Sequence, residues 1–131
     1  MSDERPTVAL DTNILMMPVE LDVRAFDHLE RLLPHAEYVI PESVLIELDQ
    51  LATTHGKAAT AATVGRQLAE EHCRIIDDTA DSTDASIIGL AATKVVDYVA
   101  TNDAAVRAAV LDAGIPVISL RGRTHMDIIQ P

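Results

Sequence analysis

Apolar residues along this chain come in two patterns: short uninterrupted clusters, and longer stretches in which they recur every three or four positions. Residues 7–10, "YVIP" at 38–41, "CRII" at 73–76, "YVAT" at 98–101 and "PVISL" at 116–120 are the clusters, each short enough to be a strand. Between them lie helical stretches. Residues 21–33 (LDVRAFDHLERLL) carry an amphipathic pattern that stops at Pro34, and Pro41 is well placed to open a helix over 42–53. Further helices are expected at 57–71, 84–95 and 103–113, the last ended by Gly114, and "RGRTHMDII" reads as a final extended piece. Short strands that alternate with helices and are apolar on both faces form parallel sheets covered on both sides. The expected fold class is therefore α/β, a three-layer sandwich with a five-stranded parallel sheet. With no internal repeat or low-complexity linker, residues 1–131 read as a single domain.

In open parallel sheets ligands sit beyond the carboxyl ends of the strands, which directs attention to the residues found there. Asp11 follows the first strand and Asp103 follows the fourth. Capping of the next helix explains either acid alone, since a carboxylate accepts hydrogen bonds from otherwise unpaired backbone N–H groups. Capping does not require the two to converge on one rim. In "TDASIIGLAATKV", Ile87, Ile88, Ala91 and Val95 fall on one helical face with Asp84 on its axis, so Asp84 is expected to point inward from the first turn. In "PESVLIELDQLA", Glu47 and Asp49 flank the stripe of Val44, Leu45, Leu48 and Leu51 on opposite sides, and spacing does not choose between them.

Carboxylates gathered in one polar hollow repel each other and raise each other's pKa unless a cation intervenes. Mg²⁺ suits such a place, since it takes oxygen ligands, keeps several waters and is held by one or two carboxylates with substrate phosphate completing the shell. Two such ions can serve an in-line phosphoryl displacement. No P-loop, G-x-G-x-x-G or Ser/His pair competes as a constellation.

Composition changes the picture in four ways. Aromatics are 2% of the 131 residues against 48% apolar, so the core is aliphatic. Cys73 is the only cysteine, which excludes an intrachain disulfide, and no Cys/His spacing resembles a zinc site. No apolar run approaches the ~18 residues that span a bilayer, and the opening "MSDERPTV" is unlike a secretory leader, so a soluble cytoplasmic protein is expected. Charge changes the picture most. Asp and Glu total 21 against 10 Lys and Arg, a net −11 with only Lys57 and Lys94 as lysines. Such acidity fits a halophilic cytoplasm, where salt screens self-repulsion, and it makes net charge a poor guide to whether nucleic acid is the partner.

"LDTNILM", "IPESVLIELDQLA", "TDASIIGLA" and "VATNDAAVRAAVLDAGIPVISLRG" together resemble the PIN-domain ribonucleases along nearly the whole chain. The likeness is greatest to small archaeal PIN proteins related to the nucleolar factors that process small-subunit ribosomal RNA. The resemblance implies strand order 3-2-1-4-5 and a metal-binding, catalytic quartet of Asp11, Glu47, Asp84 and Asp103, which selects Glu47 over Asp49. It makes Asn13 and Thr101 residues that orient the carboxylates by hydrogen bonds. It also implies a Mg²⁺- or Mn²⁺-dependent endoribonuclease, with one or two ions, that cleaves single-stranded RNA to leave a 5′-phosphate, with pre-rRNA as the expected partner. One departure stands out: many relatives have a second acid directly after the third, and here that position is Ala85, which puts a second ion in doubt.

For RNA contact, Arg121 and Arg123, beyond the fifth strand, form with His125 the densest basic cluster. Arg107, one turn after Asp103, is expected to pair with it. Met16 and Met17 are expected to pack rather than touch substrate. The outer face of 21–33 offers one seam for a homodimer. Three other functions stand beside rRNA processing. One is a PIN toxin held by a protein antitoxin, which an overlapping upstream antitoxin gene would favour. Another is a catalytically idle RNA-binding scaffold. The last, a phosphoaspartate enzyme of haloacid-dehalogenase type, wants an Asp where Asn13 stands.

Overall fold

A computed structural model describes residues 5–77 and 80–131; residues 1–4, part of the charged opening stretch, and 78–79 lie outside it. The strands are β1 (Thr7–Leu10), β2 (Glu37–Pro41), β3 (Cys73–Ile76), β4 (Tyr98–Ala100), β5 (Val117–Arg121) and β6 (His125–Ile129), in spatial order β3-β2-β1-β4-β5-β6. The first five are parallel and lie in the expected order 3-2-1-4-5. The sheet has six strands rather than five, because the extended piece after Gly122 (φ +65°) turns back and pairs antiparallel with β5, Ile118 opposite Ile128.

The helices are α1 (Thr12–Glu20), α2 (Ala25–Leu32), α3 (Glu42–Ala52), α4 (Lys57–His72), α5 (Thr83–Ala92) and α6 (Ala104–Asp112). Side chains alternate across a strand, and here that alternation builds two cores. Val8 and Leu10 of β1, Ile40 of β2 and Ile118 of β5 pack with Ile14, Leu15, Leu29, Val44 and Leu48 of α1–α3 and with the small residues of α4. Ala9, Val39, Val99 and Val117, one residue out of phase, pack with Ile87 and Ala91 of α5 and Val106 and Val110 of α6. Each large aliphatic removed from water in this way contributes about 1.5–3 kcal/mol. The first core depends on a close approach. Gly65 on α4 leaves room for α1, and a Cβ there would lie 2.9 Å from the carbonyl oxygen of Leu15.

Three departures from the pattern have physical causes. Helix α1 is absent from the amphipathic reading because Ile14, Leu15, Met16 and Met17 are all buried in succession, so no polar face interrupts the run, and Pro18 lies inside the helix. The helix expected over 21–33 starts only at Ala25, after Asp22 takes a left-handed conformation (φ +56°). Helix α5 ends at Ala92 with Lys94 left-handed (φ +57°), so Val95 leaves the apolar face and is 55% exposed. Among the described residues no helix is long and apolar enough to cross a membrane.

Candidate metal and nucleic-acid site

Strands β1 and β4 are neighbours, with Leu10 opposite Ala100, so the residues that follow them meet at the carboxyl edge of the sheet. This is where the strand order reverses, since β1 leads out to β2 on one side and β4 to β5 on the other. Asp11 leaves β1 with extended backbone (φ −77°, ψ 159°) and caps α1, its Oδ1 accepting the Thr12 N–H at 2.8 Å. Its Oδ2 accepts the Thr101 hydroxyl at 2.7 Å and the Asn13 amide at 3.3 Å. Asp103 caps α6, its Oδ1 accepting the Val106 N–H at 3.0 Å. Capping and convergence therefore coexist in both residues.

Thr101 links the two acids. Its hydroxyl donates to Asp11 and accepts the backbone N–H of Asp103 at 3.1 Å. Asn13 works alongside, its Oδ1 accepting the Asn102 N–H at 3.0 Å. Glu47, half-buried on α3, accepts the Thr12 hydroxyl at 2.6 Å. Asp49, two residues on, turns the other way into an ion pair with Arg66 at 2.8 Å. Spacing could not separate these two acids; their surroundings do. Asp84 sits in the first turn of α5, where Ser82 supplies the cap through the Ala85 N–H, leaving the Asp84 carboxylate out of that role. It does not ride on the buried face as expected. It is exposed although Ile87 and Ala91, three and seven residues further on, are buried, because the first turn of α5 stands at the rim, where Asp84 lines the notch.

Asp11, Glu47, Asp84 and Asp103 thus line a single notch of about 190 Å³. Asp11 is its floor, 4% exposed. Burial pushes the Asp11 carboxyl above the usual carboxylate range, the hydrogen bonds from Thr101 and Thr12 pull it back, and the charges of Asp84 and Glu47 push it up again. The four acids ring the hollow without clustering tightly: among the described residues no three His, Cys, Asp or Glu side chains are close enough together to form a preformed metal cage.

The basic residues lie elsewhere. Arg121, exposed near the β5–β6 turn, pairs with Asp127 at 3.5 Å, and exposed Arg123 lies in the turn itself; neither lines the notch. Arg107 does not form the expected ion pair with Asp103. Its guanidinium donates to the Ser119 hydroxyl at 3.3 Å, and only its backbone N–H reaches the Asp103 carbonyl, because α6 directs the side chain toward β5. Met17 is buried, as its packing role requires, whereas Met16 also lines the notch.

Three contributors escaped the sequence reading. Thr12 holds Glu47. Asn102 ties the β4 end to β5, its Oδ1 accepting the Leu120 N–H at 2.8 Å. Glu20 lines the notch from the last residue of α1. The T-N-D order after β4 was a signal for Asn102. Without α1 in view, nothing pointed to Glu20.

Comparison with solved structures places the chain beside a structure described as "Structure of the PIN domain endonuclease Utp24", with TM-score 0.76 and 19% identity over 95% of this chain and 92% of that one. A domain of a functionally unknown protein from Methanocaldococcus jannaschii DSM 2661 is also similar, with TM-score 0.63 and 19% identity over 89% of this chain and 92% of that one. At that identity the likeness concerns the fold. No curated protein matches. The family model described as "PIN like domain" matches residues 8–123, which span the five parallel strands except Thr7 and every acid of the notch, and the chain belongs to that family.

Proposed function

We propose that the protein is a divalent-metal-dependent endoribonuclease that cleaves single-stranded RNA, acting in ribosomal RNA processing. The observation that carries this reading is the convergence of Asp11, Glu47, Asp84 and Asp103 on one notch at the switch point of a PIN-like sheet, with no cationic side chain among the described residues lining it. The donor set suits Mg²⁺ or Mn²⁺: all hard oxygens, with Asp11 retaining acceptor capacity beyond its three hydrogen bonds. The wide ring of acids suits a hydrated ion held through one or two carboxylates rather than a dry cage. Bound there, the ion supplies charge neutralisation at the scissile phosphate and a more acidic water.

The chain's own residues do the positioning. Thr101 and Asn13 fix the Asp11 carboxylate from one side and Thr12 fixes Glu47 from the other, so two acids on different helices hold their geometry before RNA arrives. Asp84, exposed on the rim, and Asp103, anchored by its cap, complete the ring. Arg121, the last residue of β5, and Arg123, in the turn after it, stand on the same carboxyl side and serve as phosphate contacts for RNA leaving the notch.

A catalytically idle RNA-binding module is the second reading. One feature favours it: Ala85 stands where the resemblance to PIN ribonucleases implies a further carboxylate. Incubating the purified chain with pre-rRNA and tRNA pools in Mn²⁺ at high salt separates the two. The nuclease reading expects fragments with 5′-phosphate ends that disappear in Asp11→Asn. Binding without cutting by the wild-type chain favours the scaffold, and undiminished cutting by the variant removes the notch from the reaction.

A further inference from the structure

A row of buried polar side chains runs from the notch across the sheet and ends in a cation. Leu10 of β1 stands opposite Ala100 of β4, and Ala100 opposite Ile118 of β5. One residue further on, Asp11, Thr101 and Ser119 therefore stand side by side at the carboxyl edge, and all three are buried. With strands about 4.8 Å apart, Ser119 lies about 10 Å from Asp11. Side chains alternate across a strand, so the row projects on the side of α5 and α6, in phase with Ala9, Val99 and Val117. Arg107, half-buried and four residues after the Asp103 cap, brings its guanidinium to the Ser119 hydroxyl at 3.3 Å.

Hydrogen bonds tie this cation to the floor of the notch. The Ser119 hydroxyl accepts from Arg107 and donates to Asn102 Oδ1 at 3.4 Å. The Asn102 N–H donates to Asn13 Oδ1 at 3.0 Å, and the Asn13 amide donates to Asp11 Oδ2 at 3.3 Å. The guanidinium is thus held in register with Asp11 without touching it. Among the described residues Arg107 forms no ion pair, whereas Arg24, Arg66, Arg74 and Arg121 each meet a carboxylate. Taking a guanidinium partly out of water costs solvation that one neutral hydroxyl does not return. Bracing α6 on β5 uses one of its five donors, and the rest of the planar fork matches the paired oxygens of a phosphate. RNA passing from Asp11 to Arg121 at the end of β5 crosses β4 and β5, the stretch over which Arg107 stands.

We propose that Arg107 binds an RNA backbone phosphate one or two nucleotides from the scissile one and so fixes the strand across the notch; this rests on the nuclease reading of that site. The full-length wild-type chain and Arg107→Gln are compared on single-stranded RNA in which one linkage at a time is an uncharged methylphosphonate. The adjoining sugar is 2′-O-methylated both there and in the all-phosphate control. Cleavage is followed in Mn²⁺, and binding in Ca²⁺ by fluorescence anisotropy. In the wild type, removing the charge of one linkage near the cut is expected to lower affinity about tenfold. Arg107→Gln is expected to lose about as much on all-phosphate RNA and nothing further at that linkage. Its slope of log affinity against log salt should be shallower by about one. Arg107→Met, which keeps the apolar stem, takes its place if Arg107→Gln melts below the assay temperature, with the same outcomes expected. Methylphosphonate losses that add to the Arg107 substitution at every linkage, or affinity unchanged by the substitution, overturn the proposal and leave the nuclease reading intact: Arg107 then only braces α6 on β5. Cancellation at one linkage in a chain that binds but never cuts overturns the nuclease reading and retains the phosphate contact. A chain that neither cuts nor shows such cancellation overturns both.

Discussion

The two edges of the sheet treat their acids in opposite ways. At the amino edge Glu37 opens β2 against the Arg74 guanidinium at 3.1 Å, and Asp97 accepts the Thr7 N–H at 2.8 Å. Arg5 donates to the carbonyls of His35 and Ala36 nearby. Each of these four charges has a local partner. At the carboxyl edge Asp11, Glu47, Asp84 and Asp103 meet hydroxyls, amides and one another, and among the described residues no lysine or arginine lines the hollow. The contrast recurs within α3, where Asp49 takes Arg66 and Glu47 takes a threonine hydroxyl. A fold that serves stability alone places cations beside its acids. Leaving them unneutralised at one edge is the arrangement of a surface whose compensation arrives from solution.

The sharpest way to break that comparison is Asp11→Asn. Cleavage in Mn²⁺ is expected to fall by two orders of magnitude or more, equivalent to about 3 kcal/mol of lost stabilisation. Burial and the neighbouring acids disfavour the Asp11 charge more than its hydrogen bonds favour it, so the same variant should melt higher. Loss of activity with a gain in melting temperature by calorimetry is the signature of an edge built against stability. A variant that melts lower would mean that the carboxylate is structural.

Thr101→Val keeps the shape and removes the hydroxyl shared by Asp11 and the Asp103 N–H. It is expected to lower cleavage about 10- to 100-fold and to cost about 1–3 kcal/mol in denaturant melts, because buried polar groups lose a partner. Gly65→Ala probes α1 from behind. The added Cβ meets backbone, and repacking costs about 1–3 kcal/mol, outweighing the gain of up to about 1 kcal/mol from helix propensity.

The amino edge supplies the smallest effect. Glu37→Gln removes an exposed ion pair worth a few tenths of a kcal/mol, less in high salt, and leaves cleavage unchanged. The Arg74 hydrogen bond holds the Glu37 carboxyl below its ordinary value of 4.5. Its contribution is therefore present above that value and disappears as pH falls through the lower folded one. Wild type and variant should have the same stability in acid and differ slightly at neutral pH.

The strand order comes only from the resemblance to PIN domains, whereas the short apolar clusters of β1, β2 and β5 are plain along the chain, which is why the strand positions could be read from the residues. Helix α1 could not, because periodicity marks only helices with a wet side and this one is enclosed. That blind spot propagated into the site: without α1, neither the grip of Thr12 on Glu47 nor the presence of Glu20 had a place to stand. Arg107 failed for another reason. Sequence proximity set it one turn from Asp103, but the direction of its side chain is decided by where α6 lies on β5, a tertiary fact.

The hydrogen bond from Thr101 to Asp11 joins residues 90 positions apart, which gives the site a time of assembly as well as a place. Contacts of such separation form late, after the shorter loops have closed. A half-made chain holding β1 through β3 carries Asp11 and Glu47 but not the strand that brings Asp103 beside them. On the proposed reading, a ribosome, itself built of RNA, synthesises a nuclease whose cutting edge comes together only once most of the chain has been translated.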